Sequence, residues 1–391
     1  MIFSKRRGAA RPGFFSRFGS LSALLAGIFG AAAPLLAQAA DATQTATQRL
    51  PPFDNQPYSF NIGFNTPMDT IAGLTDWAKQ INYVYGITTW VVLLVFLAVS
   101  IPVVLAIYKY RVKPGDTDDT PPPQIHGHPV LEFTWTIVPC ILLVIIAVPT
   151  WRVLFSQDAA PSKDALEVEV IGHQWWWEFR YPQLGIVTAN ELNLPENKQV
   201  HFTIKSADVI HSFWLPRLGG KVDAFPGDHV NHMLFTTPTV PPEMRAKGEY
   251  IQGQCVELCG SSHALMRFYA VIRTPEQFKS WASQAMTPPT VVTDSQRRGE
   301  QVFAQCVACH TIAGTPSANI PGDKIGPNLT TFGSRLYFAG ATRLNTPENL
   351  ALWLHNPGAI KPDALMPNLG LSAADIAAVS AYLRQSTAKN F

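Results

Sequence analysis

Charged residues are scarce in this chain of 391 residues. Asp, Glu, Lys and Arg make up 15% of it and the net charge at pH 7 is +2, whereas about 25% of the residues of ordinary soluble domains are charged. Proteins that bind nucleic acid need a basic surface, and the Lys and Arg residues form no block outside the N-terminus. The composition therefore argues against a nucleic-acid partner. Its 47% of hydrophobic residues predicts that part of the chain lies in lipid.

Cysteine is also scarce, with five residues in the whole chain. Four of them, Cys255, Cys259, Cys306 and Cys309, fall inside two short motifs that also contain histidine, and Cys140 lies in a hydrophobic run. A disulfide framework, the usual role of cysteine in exported proteins, is therefore not expected. The cysteines indicate metal or cofactor binding instead.

The first motif, residues 255–266, contains two cysteines, a histidine and a methionine within twelve positions. Thiolate, imidazole and thioether are soft ligands, and such a set suits copper better than any hard cation. A disulfide between Cys255 and Cys259 is the alternative in an oxidising compartment, and it would leave His263 and Met266 without a role.

The second motif, Cys306-Val307-Ala308-Cys309-His310, has the spacing by which haem c is attached covalently. His310 would then be the proximal iron ligand. A dithiol redox motif is the alternative, but the adjacent histidine and the lack of a surrounding strand-helix-strand pattern argue against it. Neither motif supplies a nucleophile or a general base for hydrolysis. Two one-electron centres on one chain therefore predict an electron relay.

The N-terminus predicts a secretory signal peptide over residues 1–39. Basic residues precede an apolar stretch at 21–36, and Ala37-Gln38-Ala39 offers a small-residue cleavage site, so that cleavage follows Ala39 or Ala40. The alternative is an uncleaved membrane helix, although this stretch is short and is broken by glycine and proline. Residues 40–80 are polar and rich in proline, which indicates an extracytoplasmic lead-in.

Two hydrophobic runs, residues 83–108 and 133–155, are each long enough to cross a lipid bilayer as a helix. We assign residues 81–156 to a transmembrane helix hairpin. Lys109, Arg111 and Lys113 directly follow the first run, and the positive-inside rule places the loop between the runs in the cytoplasm. Both long flanks of the hairpin then lie on the outer side of the membrane.

The rest of the chain changes pattern twice. Short alternating stretches rich in β-branched residues, such as 166–171, 200–204 and 230–235, predict a β-sandwich or barrel over residues 163–276. A proline-rich linker follows at 277–292. Residues 293–391 predict a mainly helical domain, with helical patterns at 295–304, 347–355 and 372–384.

Four stretches make residues from about 80 to 275 resemble the copper-A region of cytochrome c oxidase subunit II; they are 131–139, 172–177, 207–213 and 253–266. Residues 295–385 are similar to a class I cytochrome c. The whole chain therefore resembles subunit II of a caa-type oxidase. This resemblance implies a multidomain membrane protein with a two-helix transmembrane hairpin, a cupredoxin-like β-sandwich and an all-α class I cytochrome c domain.

The resemblance also implies the ligands. A binuclear copper-A centre would be bridged by the thiolates of Cys255 and Cys259 and completed by further donors, which are His211, His263, Met266 and the backbone carbonyl of Glu257. Met366 would be the distal ligand of one haem c, opposite His310, and such His–Met ligation generally raises the haem potential. A plain core role for Met366 is the alternative.

Further roles follow from the same resemblance. Trp175 matches the residue that receives electrons from cytochrome c, and Glu132 matches a glutamate at the entrance of a proton-uptake channel. The carboxylate of Glu257 would help to bind magnesium at the contact with the catalytic subunit, a hard ligand for a hard ion, and Asp223 would lie near that site. The family usually carries arginine where Asp228 stands, which leaves the local charge network open.

The resemblance thus implies a subunit of a proton-pumping oxidase in the bacterial inner membrane, with both folded domains on the periplasmic side. Its partners would be the haem–copper subunit I, other oxidase subunits, the lipid bilayer and cytochrome c as electron donor. The alternatives are an equivalent subunit of a nitric oxide reductase and a membrane-tethered copper-binding protein, although the latter gives no reason for a haem domain. A quinol-oxidising complex would not need the copper ligands.

Overall fold

The computed structural model describes residues 68–115, 124, 126–157, 159–246, 250–319 and 325–385. The predicted signal peptide and most of the predicted lead-in lie outside the described residues.

Two long apolar helices precede the folded domains. They are α1 (Asp76–Lys109) and α2 (Pro129–Ser156), and within the described ranges these two are long and apolar enough to cross a membrane. The first helix begins inside the predicted lead-in because Thr75 caps it: its hydroxyl accepts a hydrogen bond from the Ala78 amide. The polar first turns thus extend the helix beyond its apolar run.

The N-terminus of α1 is attached to the domain that follows. The Thr75 hydroxyl donates to the Leu218 carbonyl at 2.5 Å, and the Leu74 amide donates to the Arg217 carbonyl at 2.7 Å. At Gly219 a β-carbon would lie 2.5 Å from the ring of Trp77. The indole therefore needs glycine beneath it, and the helix is packed against the sandwich rather than tethered to it.

The predicted β-sandwich is present. Its strands are β1 (Leu166–His173), β2 (Trp176–Tyr181), β3 (Ile186–Ala189), β4 (Glu191–Pro195), β5 (Gln199–Ser206), β6 (His211–Trp214), β7 (Lys221–Ala224) and β8 (Asn231–Thr236), then, after the short helix α3 (Pro242–Ala246), β9 (Ile251–Cys255) and β10 (Arg267–Arg273). They form two five-stranded sheets, β3-β2-β1-β5-β8 and β4-β10-β9-β6-β7. The β1–β5 and β4–β10 pairs are parallel and the other pairs antiparallel.

Aromatic rings fill the space between the sheets. Trp177, Phe179, Phe213 and Phe268 are fully buried, and the rings of Phe213 and Phe268 stack with centroids 4.6 Å apart. A β-carbon at Gly253 of β9 would overlap the Phe268 ring. This rigid core ends directly at the residues of the candidate site, since β6 begins at His211 and β9 ends at Cys255.

The segment predicted as a linker begins as a helix, α4 (Pro275–Ala285). Thr274 and Gln277 form a capping box at its start. Trp281 is 4% exposed and packs edge-on against Tyr181 of β2, with ring centroids 5.4 Å apart. The first half of the linker segment is therefore part of the sandwich core.

The C-terminal domain is mainly helical, as predicted. It contains α5 (Asp294–Phe303), the short strands β11 (Tyr337–Phe338) and β12 (Arg343–Leu344), then α6 (Pro347–His355), α7 (Pro357–Ile360) and α8 (Ala373–Leu383). Helices α5 and α8 cross where a β-carbon at Gly299 would lie 2.7 Å from that of Tyr382. The predicted helical patterns agree with α5, α6 and α8 to within a residue or two at each end.

Candidate functional site

The predicted copper ligands lie together at one end of the sandwich. The antiparallel pairing of β6 with β9 brings the strand that begins at His211 beside Cys255. The two cysteine sulfurs are 3.8 Å apart, and Nδ1 of His211 is 3.9 Å from the Cys255 sulfur. The nearest ligand atoms of His211, Cys255 and Cys259 all lie within 4.8 Å of one another. Two chain segments, the start of β6 and the end of β9 with the residues that follow it, therefore present soft donors to one point.

The remaining donors surround the same two sulfurs. From the Cys259 sulfur it is 3.5 Å to Nδ1 of His263 and 3.8 Å to the sulfur of Met266. The carbonyl oxygen of Glu257 is 3.3 Å from the Cys255 sulfur. The donor chemistry fits a pair of copper ions bridged by two thiolates.

Burial and the hydrogen bond between the two thiols shift the pKa values of Cys255 and Cys259 in opposite directions. The hydrogen bond from the Cys259 thiol lowers the pKa of Cys255 to about 4, although burial opposes this shift. The same bond, together with burial, raises the pKa of Cys259. Cys255 therefore loses its proton first, and Cys259 must release a second proton before both sulfurs bind metal.

Asp208 orients one of the imidazoles. Its Oδ1 accepts a hydrogen bond from Nε2 of His211 at 2.7 Å, which leaves Nδ1 on the side of Cys255. Burial alone would raise the pKa of Asp208, but this bond and others lower it. Sequence reasoning missed this residue, although its position three residues before a predicted ligand was a usable signal.

Trp175 contacts the loop at residues 255–266, which carries most of the predicted copper ligands. Its indole Nε1 donates to the carbonyl oxygen of Cys259 at 2.9 Å, and the side-chain amide of Gln174 donates to the same oxygen at 2.8 Å. Gly260, with φ +115°, has no β-carbon, and one there would lie 3.0 Å from the indole. The loop therefore approaches the ring more closely than a side chain would allow.

The haem motif borders a cavity of about 350 Å³, which Cys306, Cys309, His310 and Met366 all line. Nδ1 of His310 donates to the Pro327 carbonyl at 2.8 Å, so its Nε2 is available for iron. Burial lowers the pKa of His310, which favours the neutral ring that binds metal. At Gly326 a β-carbon would lie 2.7 Å from this imidazole.

Arg335 also lines the haem cavity and shows that the cavity suits a haem. The side chain is 5% exposed, and its Nε is a buried donor without a hydrogen-bond partner within the described residues. A buried, unsatisfied guanidinium nitrogen is costly, and the propionates of a haem are carboxylates that would satisfy it. The cavity therefore has both the iron ligands and a cationic donor that a haem needs. Sequence reasoning gave no role to this arginine.

The two sites meet at Trp175. Gln174, Trp175 and Trp176 of the sandwich border the haem cavity together with the haem-domain residues. Because the indole of Trp175 also donates to Cys259, one residue contacts both the haem cavity and a copper-ligand residue. The indole is only 6% exposed.

The other predicted site residues lie on the surface. Glu257 and Asp223 are exposed; Asp223 pairs with Ser212, whose carbonyl accepts from the amide of Val256. Asp223 on β7 and Glu257, just after β9, thus lie on either side of β6. Glu132 is exposed in the first turn of α2, where its Oε1 accepts from the His128 amide at 3.2 Å.

Comparison with known proteins agrees with this geometry. The profile described as cytochrome C oxidase subunit II, transmembrane domain, matches residues 71–153, the profile of its periplasmic domain matches 183–273, and the profile described as cytochrome c matches 296–387.

Whole-chain relatives decide the family. Cytochrome c oxidase subunit 2 of Alkalihalophilus pseudofirmus is 36% identical over 332 residues, which are 81% of this chain and 91% of that protein. The chain belongs to the cytochrome c oxidase subunit II family. Subunit 2 of Bacillus subtilis is 35% identical over 288 residues, or 68% of this chain and 77% of the relative. Among solved structures, the periplasmic domain of subunit II of cytochrome oxidase of Bradyrhizobium japonicum is 31% identical, with a TM-score of 0.28, and the match covers 32% of this chain and 95% of that one.

The predicted family, fold class and function are confirmed. This subunit II is a membrane-anchored component of cytochrome c oxidase with a fused cytochrome c domain. Its cofactors are copper-A and haem c, and electrons enter through the haem and pass to copper.

Proposed function

We propose that electrons cross from the haem domain to the copper domain of this subunit II through Trp175. One observation carries the proposal: Trp175 borders the haem cavity, and its indole donates a hydrogen bond to the Cys259 carbonyl at 2.9 Å. When bound, haem c and copper-A each supply a centre that takes up and releases one electron. Trp175 itself is buried, with 6% of its surface exposed.

The residues that hold the two groups follow from the same geometry. Thioethers of Cys306 and Cys309 would attach the haem, and His310 and Met366 would bind its iron. The copper pair would be held by six donors, namely the sulfurs of Cys255 and Cys259 and the four donors around them, which are His211, the Glu257 carbonyl, His263 and Met266. Strand ends of a packed sandwich carry several of these donors, and Asp208 fixes the ring of His211. Such rigidity favours fast electron transfer, because little has to rearrange.

The electron donor would be a separate cytochrome c, and the acceptor would be the haem–copper subunit I of the complex, which reduces oxygen to water. Lys109, Arg111 and Lys113 at the end of α1 support a cytoplasmic loop between the two helices. Both folded domains would then lie on the periplasmic side of the bacterial inner membrane, and Glu132 would lie at the cytoplasmic entrance of a proton channel.

Glu257 and Asp223 would contribute to a magnesium site at the contact with subunit I. Two exposed carboxylates on either side of β6 support this role, since Mg²⁺ binds oxygen ligands and tolerates water in its remaining positions.

The substitution Trp175→Phe in the assembled complex tests the route. It keeps an aromatic ring but removes the Nε1 donor to Cys259, and we expect oxygen consumption with reduced cytochrome c to fall between about tenfold and a hundredfold, since small errors in positioning have large effects on rate. The haem c absorption and the copper-A paramagnetic resonance signal are expected to stay unchanged.

Trp176→Phe is the matched control, because Trp176 also borders the haem cavity but stacks on His173. We expect it to retain near-normal turnover. Equal effects of the two substitutions, or none from Trp175→Phe, would contradict the route. Turnover of nitric oxide without oxygen consumption would contradict the assigned acceptor.

A further inference from the structure

Lys361 is a buried lysine between the two redox domains. It follows α7, shortly before Met366, and is 4% exposed. Its Nζ donates to the carbonyl oxygen of Trp175 and, at 3.2 Å, to that of Leu265. Both acceptors belong to the copper domain, whereas the lysine belongs to the haem domain. Within the described ranges these two carbonyls are its hydrogen-bond acceptors.

No carboxylate offsets the burial of this side chain in the described part of the chain. A buried ammonium group is costly, and burial accordingly lowers the pKa of Lys361 to about 7, although the charge of the Cys259 thiolate opposes this shift. The amine and the ammonium forms both donate hydrogen bonds. The contact to the two carbonyls therefore persists in either protonation state.

The two carbonyls are close to both redox sites. Trp175 is the proposed electron path, and Leu265 lies between the copper-ligand residues His263 and Met266. Lys361 itself precedes the predicted haem ligand Met366 on the same loop. One side chain thus connects the backbone segments that carry ligands of each group.

Neighbouring contacts leave little freedom for this arrangement. The Arg267 amide donates to the Gly340 carbonyl at 3.0 Å, and the Ser262 hydroxyl donates to the Pro362 carbonyl at 2.5 Å. A β-carbon at Gly340 would lie 2.6 Å from Nζ of Lys361. The lysine therefore fits one docked position of the two domains.

We propose that Lys361 is a positioning residue for electron transfer: it holds the haem domain in register with Trp175 through the Trp175 and Leu265 carbonyls. The proposal rests on the proposed function. In the step concerned, a haem held by the haem domain would give up one electron and a copper pair held by the copper domain would gain it, with no bond made or broken. The lysine transfers neither charge nor proton, but sets the distance and orientation of the path.

The substitution Lys361→Met in the intact oxidase complex tests this role, since methionine keeps a long side chain and removes the donor. After photochemical reduction of the haem, we expect the rate of electron transfer from haem to copper to fall about tenfold or more. We also expect faster hydrogen exchange at the Arg267 amide, whose acceptor lies across the interface. Lys361→Gln keeps a donor and is expected to restore part of the rate.

Lys198→Met is the control, because Lys198 pairs with Asp164 on the sandwich surface, and it is expected to change neither quantity. An unchanged transfer rate in Lys361→Met overturns the proposal, even with faster exchange. Loss of the haem or copper spectrum in both Lys361 variants also overturns it, because the lysine would then act in assembly. If Trp175→Phe leaves the rate unchanged while Lys361→Met lowers it, the Trp175 route fails and the positioning role stands.

Discussion

At the residue scale, the sequence supplied the metal donors but not the residues that orient them. Cys255, Cys259 and the haem motif could be predicted, because the spacing of cysteine and histidine in a metal or haem motif is specific. Lys361 could not, because a basic residue acquires such a role only through partners distant in the chain. Arg335 depends on a cavity that forms on folding, and Asp208 was missed although His211 lies only three residues further on. Hydrogen bonds to such partners are what the folded structure adds.

Asp208→Asn is expected to weaken copper binding between about tenfold and a hundredfold, the usual effect of changing a residue that orients a metal-bound histidine. The substitution keeps the shape but removes the charge that favours a proton on Nε2 of His211. Competitive copper titration of the full subunit measures the affinity. Asp164→Asn, at a surface ion pair with Lys198, is the control, and equal affinities for the two variants would contradict this assignment.

At the element scale, the sequence predicted the helices of the haem domain and several strands closely, because their boundaries carry local signals. Thr293, Thr346 and Ser372 each cap a helix with a side-chain hydrogen bond. Helix α4 was mistaken for linker because the prolines just beyond it dominated the pattern. Its burial depends on the sandwich surface, which no local signal describes.

Trp281→Ala tests whether α4 belongs to the sandwich core. Removing a buried tryptophan side chain is expected to lower the free energy of unfolding of the sandwich by about 3–5 kcal/mol. Denaturant unfolding of the full subunit in detergent, followed by copper-A absorption, measures this change. Lys279→Ala, an exposed position on the same helix, is expected to have little effect. A similar loss in both variants would contradict a core role for Trp281.

At the scale of the whole molecule, the order of the domains was predictable and their docking was not. The interface joins residues far apart in the chain, such as Tyr250 with Tyr337, whose hydroxyls are 3.0 Å apart. Tyr269 accepts from the Leu336 amide at 2.9 Å in the same region. Neither contact has a periodic or motif signature, because each depends on two surfaces that form only after folding.

The stability of the protein depends on pH because docking of the two domains buries Lys361. Burial lowers its pKa from 10.5 to about 7, so between these values the unfolded chain binds more protons than the folded one. Stability from this group is therefore full above about pH 10.5 and is lost as the pH falls through about 7. The thermal midpoint of the wild type, relative to Lys361→Met, should rise from about pH 7 to about pH 10. A constant difference across this range would contradict the buried state of the lysine.

Because the haem domain packs over Trp175, electron transfer from haem to copper is a first-order step within one chain. A donor linked to its acceptor in one chain acts at a fixed effective concentration, whatever the amount of soluble cytochrome. Transfer to copper then needs no diffusional encounter. Salt screens the attraction between separate charged proteins, so it should have little effect on the rate of this transfer. Ionic strength would affect only the rate at which a separate cytochrome c reduces the haem.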